Sequence, residues 1–185
     1  MRIGALVGYK SEKAAQMAAF FAQKNGRNIE KLKLIKLLYL AEREYVSRYQ
    51  MGMLFDEYYS LPHGPVCSSS LNGINGTLDA AIWSKYIKRE DRIVMPAAPF
   101  ERDDLDRVSD AEWNVLCSIW NQFGWMTSGQ IRKYTHQHCP EYTEVESGRM
   151  PISYYEMLDA VGVDGAVEIA KDIAALRRAE GILSA

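Results

Sequence analysis

Cysteine is scarce in this chain, and runs of a single charge are missing. The three cysteines, Cys67, Cys117 and Cys139, stand far apart with no CxxC pair. That spacing excludes a zinc ribbon and a disulfide framework and leaves reduced packing residues. The formal net charge is only −2, and basic residues alternate with acidic ones, as in Glu42-Arg43-Glu44 and Lys88-Arg89-Glu90-Asp91-Arg92. Such alternation is a solvated surface, so nucleic acid is not expected as a partner of the chain by itself. No apolar stretch approaches the roughly twenty residues of a membrane span, and the first residues lack a signal peptide's hydrophobic region. A cytoplasmic location with no membrane partner is expected. The phosphate-binding patterns GxGxxG and GxxxxGKS/T do not occur, nor does the G-x-S-x-G nucleophile elbow. No cofactor is expected.

What the chain does have is apolar material: 185 residues at 48% hydrophobic content, enough for one good core. Its densest part runs Leu32 to Ala41. At about 100° per residue, Leu32, Leu34, Ile35, Leu38, Tyr39, Ala41, Tyr45 and Val46 cover half the circumference of a helix. Lys33, Lys36, Arg43, Glu44, Ser47 and Arg48 take the other half, interrupted by Leu37 and Leu40. A stripe this wide predicts a central helix packed by several neighbours, capped by Asn28, running to about Tyr49 and stopped near Gly52. Glu42 falls inside the apolar arc, where an unpaired charge is expensive. Either it emerges at the rim and is solvated, or it is paired or faces a partner.

Elsewhere the signals are local. Residues 1 to 10 read as a short lead-in, strand-like or loose. Ser11 reads as the N-cap of a first helix that stops at Asn25-Gly26. Asp56 to Leu61 reads as extended, entering a rigid bend at Pro62, Gly64 and Pro65, with a short helix between Val66 and Asn75. Trp83 to Lys88 and Arg92 to Met95 suit a small β-hairpin, and Asp103 to Asp106 an acidic loop. Three capping boxes, Ser109 with Glu112, Thr127 with Gln130 and Ser153 with Glu156, open helices over about 110 to 123, 128 to 138 and 154 to 161. A last helix is predicted from Asp164 to Glu180, ending at Gly181. The fold class is mainly α, a compact helical domain around a central apolar helix with a small β-hairpin element.

Chemistry is harder to find. His136, His138 and Cys139 are metal-ligand types, yet histidines two apart on a helix point in nearly opposed directions and no second cluster completes a site. A capping role at the helix C-terminus fits them better. His63 with Cys67 or Ser68 could be drawn as a base and nucleophile, but no orienting third residue can be named. A metal-dependent or Cys/Ser hydrolase using His63, Cys67, His136 and His138 is the enzymatic alternative. The many tyrosines and tryptophans, on a background that is not basic, are core residues with some available for protein contacts.

Taken in order, Lys33-Leu34-Ile35-Lys36-Leu37-Leu38-Tyr39-Leu40-Ala41, the Gly64-Pro65-Val66 turn, Ser109-Asp110-Ala111-Glu112, Phe123-Gly124-Trp125-Met126-Thr127-Ser128, Tyr134-Thr135-His136 and Pro140-Glu141-Tyr142 resemble the Panacea domain of the SocA-like antitoxins. The resemblance covers about residues 11 to 145 and makes 146 to 185 a C-terminal helical extension packed on that domain. It implies a non-enzymatic antitoxin, bacterial or from a prophage, whose partner is a cognate toxin protein bound directly. Some members instead act as adaptors that deliver a partner to a protease. A homo-oligomer is compatible with either. Tyr39, Glu42, His63, Gly64, Pro65, Val66 and His136 are the expected motif or partner-binding positions, with Tyr39 and Val66 as scaffold and Gly64 and Pro65 fixing a bend.

Overall fold

The computed structural model describes residues 7–183. Helix α2 (Lys31–Tyr49) runs through the middle, with α1 (Ser11–Lys24), α5 (Asp110–Phe123), α6 (Ser128–His138) and α7 (Tyr154–Ala160) packed against it. All residues from Lys33 to Glu42 are buried. The division of α2 into an apolar and a polar half is therefore corrected: Lys33 and Lys36 lie inside. Leu37 and Leu40, which break the polar half, make the helix apolar all round, and such a helix is enclosed. Lys33 donates to Asn25 Oδ1 (2.8 Å) and the Gly124 carbonyl (2.7 Å) and lies over the Trp120 ring.

The start of α2 also differs. Asn28 is no cap: Ile29–Glu30 form strand β1, and Glu30 precedes the helix without a side-chain cap bond. The helix ends at Tyr49 as predicted, but its left-handed terminal residue is Gln50 (φ 53). Gly52 serves a close approach, since a Cβ there would lie 2.5 Å from the Tyr154 hydroxyl and 2.7 Å from the Phe55 ring. Ser11 is the first residue of α1 and not its cap; its Oγ accepts the Trp83 indole N–H at 3.1 Å. The stop at Asn25-Gly26 is as read, with Gly26 at φ +75.

The three capping boxes all form, each with both reciprocal bonds, and open α5, α6 and α7. Local chemistry of this kind needs nothing from the rest of the fold. The last helix, α8 (Ala166–Leu183), continues through Gly181. That glycine is a crossing point, since a Cβ there would overlap the Val7 side chain. Arg177 Nε donates to the Val7 carbonyl at 3.0 Å and Lys10 pairs with Glu180 at 3.3 Å, so the two ends of the described chain meet. Of the lead-in, residues 1–6 lie outside the described residues, and 7–10 form a turn and open coil with no strand.

The β structure is larger than one hairpin. Strands β1, β5 (Ile93–Pro96) and β4 (Ile87–Glu90) form one antiparallel sheet; β3 (Gly64–Cys67), β2 (Tyr58–Leu61) and β6 (Met150–Ile152) form another. The fold stays mainly α, with minor β. Trp83 to Tyr86, read as strand, belong to helix α4 (Ala80–Tyr86). Helix α3 (Ser68–Ile74) forms despite its serines because Asp56 accepts the N–H groups of Ser69 (2.7 Å) and Ser70 (2.9 Å). It supplies the cap that the helix's own N-terminal residue lacks. No described helix is long and apolar enough to cross a membrane.

Candidate functional site

The predicted positions gather around the β2–β3 hairpin and the face of α2 behind it. The hairpin is closed by Pro62-His63, so Gly64-Pro65-Val66, expected as a turn, is the start of strand β3. Its conformation is special only at Gly64, where φ is +95. A Cβ at Gly64 would lie 3.0 Å from Lys36 Nζ and 3.1 Å from both Cδ2 and Nε2 of His136. Glycine is required twice over, for the backbone angle and for the approach of α2 and α6.

Pro65 contributes through its carbonyl, which accepts Lys36 Nζ at 2.7 Å. Lys36 is fully buried. Burial pushes its ammonium down to about 7; the Cys67 and Cys139 thiols resist the shift and Arg132 adds to it. His136 stands against Tyr142, ring centroids 4.5 Å apart, with its buried Nε2 unbonded. Burial lowers its pKa, and Arg132 and Lys36 lower it further. His63 is exposed at the tip, while Val66 is buried.

Beside the hairpin lies a cleft of about 570 Å³. Leu32, Ile35, Leu61, Val66 and Leu71 give it apolar walls. Lys31, Lys36, His63 and Arg92 supply its basic groups, against one carboxylate, Glu30. Glu30 already accepts the Ser128 hydroxyl.

Glu42 and Tyr39 sit elsewhere on α2. Of the two readings of Glu42, the paired one holds: it is fully buried, and its oxygens accept the N–H groups of Met53 and Leu54, each at 3.0 Å. Residues 52–56 are a buried loop whose backbone donors need acceptors, and this carboxylate provides two. The Tyr154 hydroxyl donates to it as well (3.2 Å) and lies 3.0 Å from the Tyr58 hydroxyl. Burial nonetheless raises the Glu42 pKa to about 7, against the pull of these hydrogen bonds. Tyr39 donates to Glu141 Oε1 at 2.9 Å, and Arg43 Nε reaches the same oxygen at 2.7 Å.

The structure thus joins Gly64, Pro65, Val66 and His136 with the His63 turn, and separates them from Glu42 and Tyr39. Lys36, Asp56, Glu141 and Tyr154 were not among the predicted positions. The only signals for them were the leucines interrupting the polar face of α2 and the Pro140-Glu141-Tyr142 motif itself. Of the residues named for the enzymatic alternative, Cys67 is buried, with its thiol pushed well above its ordinary value by that burial, and His138 stacks on Tyr134, centroids 4.5 Å apart. Among the described residues, no three His, Cys, Asp or Glu side chains gather as a metal site.

The fold and the site define a helical scaffold carrying a hairpin, with Lys36, Glu42 and Glu141 in its interior held by structural bonds. A model of the SocA-like antitoxins with the Panacea domain matches residues 34–141, more than half of the chain, and the chain belongs to that family. The match takes in α2 from Leu34, the hairpin, α5 and α6 and ends at Glu141. No curated protein matches the chain, and no solved structure does.

Proposed function

We propose that this chain is the antitoxin of a bacterial or prophage toxin–antitoxin pair and neutralises its toxin by direct binding in the cytoplasm, without catalysis. The observation that carries the reading is the family match over residues 34–141. Supporting it, Lys36, Glu42 and Cys67 are buried in the core, Lys36 bonded to the Pro65 carbonyl and Glu42 to the Met53 and Leu54 N–H groups. In this reading the binding domain is residues 11–145 and residues 146–185 are an extension of it; the β2–β6 pairing and the contact of α7 with α2 support that division.

The test is co-expression with the product of the neighbouring gene. That product is expected to be toxic alone and harmless beside this chain. Persistent toxicity with both proteins soluble would remove the antitoxin reading. Toxin abundance separates two modes: unchanged levels mean inhibition in a complex, and protease-dependent loss means an adaptor.

A further inference from the structure

We infer that the cleft beside the β2–β3 hairpin seats an acidic, apolar segment of the protein partner, with a large apolar side chain between Ile35, Leu61 and Leu71 and neighbouring carboxylates against Lys31 and Arg92. The inference rests on the protein-binding reading above and names the chemistry of what is bound.

Size comes first. A cleft of about 570 Å³ with mostly apolar walls lies in the range of pockets that enclose a whole ligand group, and a leucine or phenylalanine with its flanking backbone fits it. Charge then decides the occupant. The chain as a whole is slightly acidic, yet this cleft presents Lys31 and Arg92 against Glu30, with Lys36 buried behind it. Among the described residues, neither of those two cations has a carboxylate ion-pair partner. Lys31 Nζ is held by Asn75 Oδ1 at 3.0 Å, a neutral partner that leaves its charge uncompensated.

Two cations on a chain of net charge −2 are too few to hold a nucleic-acid backbone, whereas they suit one or two carboxylates beside an apolar anchor.

The experiment uses the full chain and a fluorescent hexapeptide of alternating leucine and aspartate. Controls are the same peptide with asparagine, the same peptide with lysine, and inorganic phosphate as competitor. The aspartate peptide is expected to bind about tenfold or more tightly than the asparagine form. The double variant Lys31→Glu, Arg92→Glu should reverse the preference toward lysine, with its circular dichroism and melting unchanged. Lys31→Ala with Arg92→Ala, which adds no new charge, should weaken binding to an intermediate degree. Equal binding of the aspartate and asparagine peptides, or an unaffected double variant, would overturn the proposal. So would complete displacement by phosphate, which would make the cleft a site for a free anion.

Rescue from the toxin separates this failure from failure of the antitoxin reading. Where the wild-type chain rescues, the charge-reversed variant is expected not to; if it rescues equally, the cleft proposal falls and the antitoxin reading stands. If the wild-type chain does not rescue, the antitoxin reading falls and the peptide titration decides the cleft.

Discussion

Tyr154 on α7 donates its hydroxyl to Glu42 on α2 at 3.2 Å, across 112 residues of sequence. Glu42 lies inside the family match and Tyr154 beyond its end, so a carboxylate in the family's central helix depends on a donor outside the matched segment. Tyr154→Phe keeps the ring against Tyr58 and removes only the oxygen. It should cost about 1–3 kcal/mol in urea denaturation, the range for leaving a buried polar group short of a partner. A loss within error would show that the bond contributes nothing.

Glu42 and Lys36 give stability an unusual pH profile. Glu42 holds its proton to about pH 7 when folded, against an ordinary value of 4.5. Its contribution is complete below about 4.5 and lost as pH rises through 7. Lys36 moves the other way, from 10.5 down to about 7. Its contribution is complete above about 10.5 and lost as pH falls through 7. Together they place a dip near neutral pH, each arm worth on the order of 3–5 kcal/mol at most. Glu42→Gln should flatten the acid arm and Lys36→Met the alkaline arm, read as stability differences from wild type between pH 5 and 10. Parallel curves would contradict both shifts.

Gly64→Val should destabilise by about 2–4 kcal/mol, combining the left-handed backbone penalty with displacement of Lys36 and His136. Loss of stability is expected before any loss of partner contacts, because the hairpin's shape depends on it. A variant with intact stability and intact toxin rescue would remove the structural role assigned to Gly64.

Gly73 on α3 lies directly beneath the Trp83 indole, so closely that a Cβ would overlap the ring. Gly73→Ala should cost about 1–3 kcal/mol by overpacking, despite alanine's better helix propensity. Trp83→Leu should also be costly, since it empties a buried site and leaves Ser11 without its donor. Combined, the two changes should cost less than their sum, by thermal melts. Strict additivity would mean that the two residues do not press on one another.

Glu141 is the acceptor shared by Tyr39 and Arg43. Glu141→Ala leaves the Arg43 guanidinium half-buried without its partner and should cost about 3–5 kcal/mol. Arg43→Met together with Glu141→Leu and Tyr39→Phe, which leaves no buried donor without an acceptor, should recover much of that loss. Calorimetry on the two variants and the wild-type chain checks it.

Legibility in the sequence followed the range of the interactions. Ser109, Thr127 and Ser153 announced their helices because a capping box closes within four residues. The stop at Asn25-Gly26 and the extended run into Pro62 were equally local. Strands β1 and β6 span only two or three residues and exist because β5 and β2 pair with them from far along the chain. Helix α4 hid behind Trp83 and Tyr86, whose β preference is overridden by packing on α1. In the site, Glu42 stood out as a charge within an apolar arc and Gly64 as a glycine between prolines. Lys36 was hidden because a lysine on a helical wheel is placed outside by default, and only the enclosure of α2 on all sides puts it within.

The meeting of Val7 and Lys10 with Arg177 and Glu180 makes the described backbone nearly a ring. A short linker joining these ends, with the chain opened instead at the exposed Gly148, where a side chain would meet open space, would give a permuted protein with the same contacts in a different order. The described backbone enters and leaves the fold at one corner.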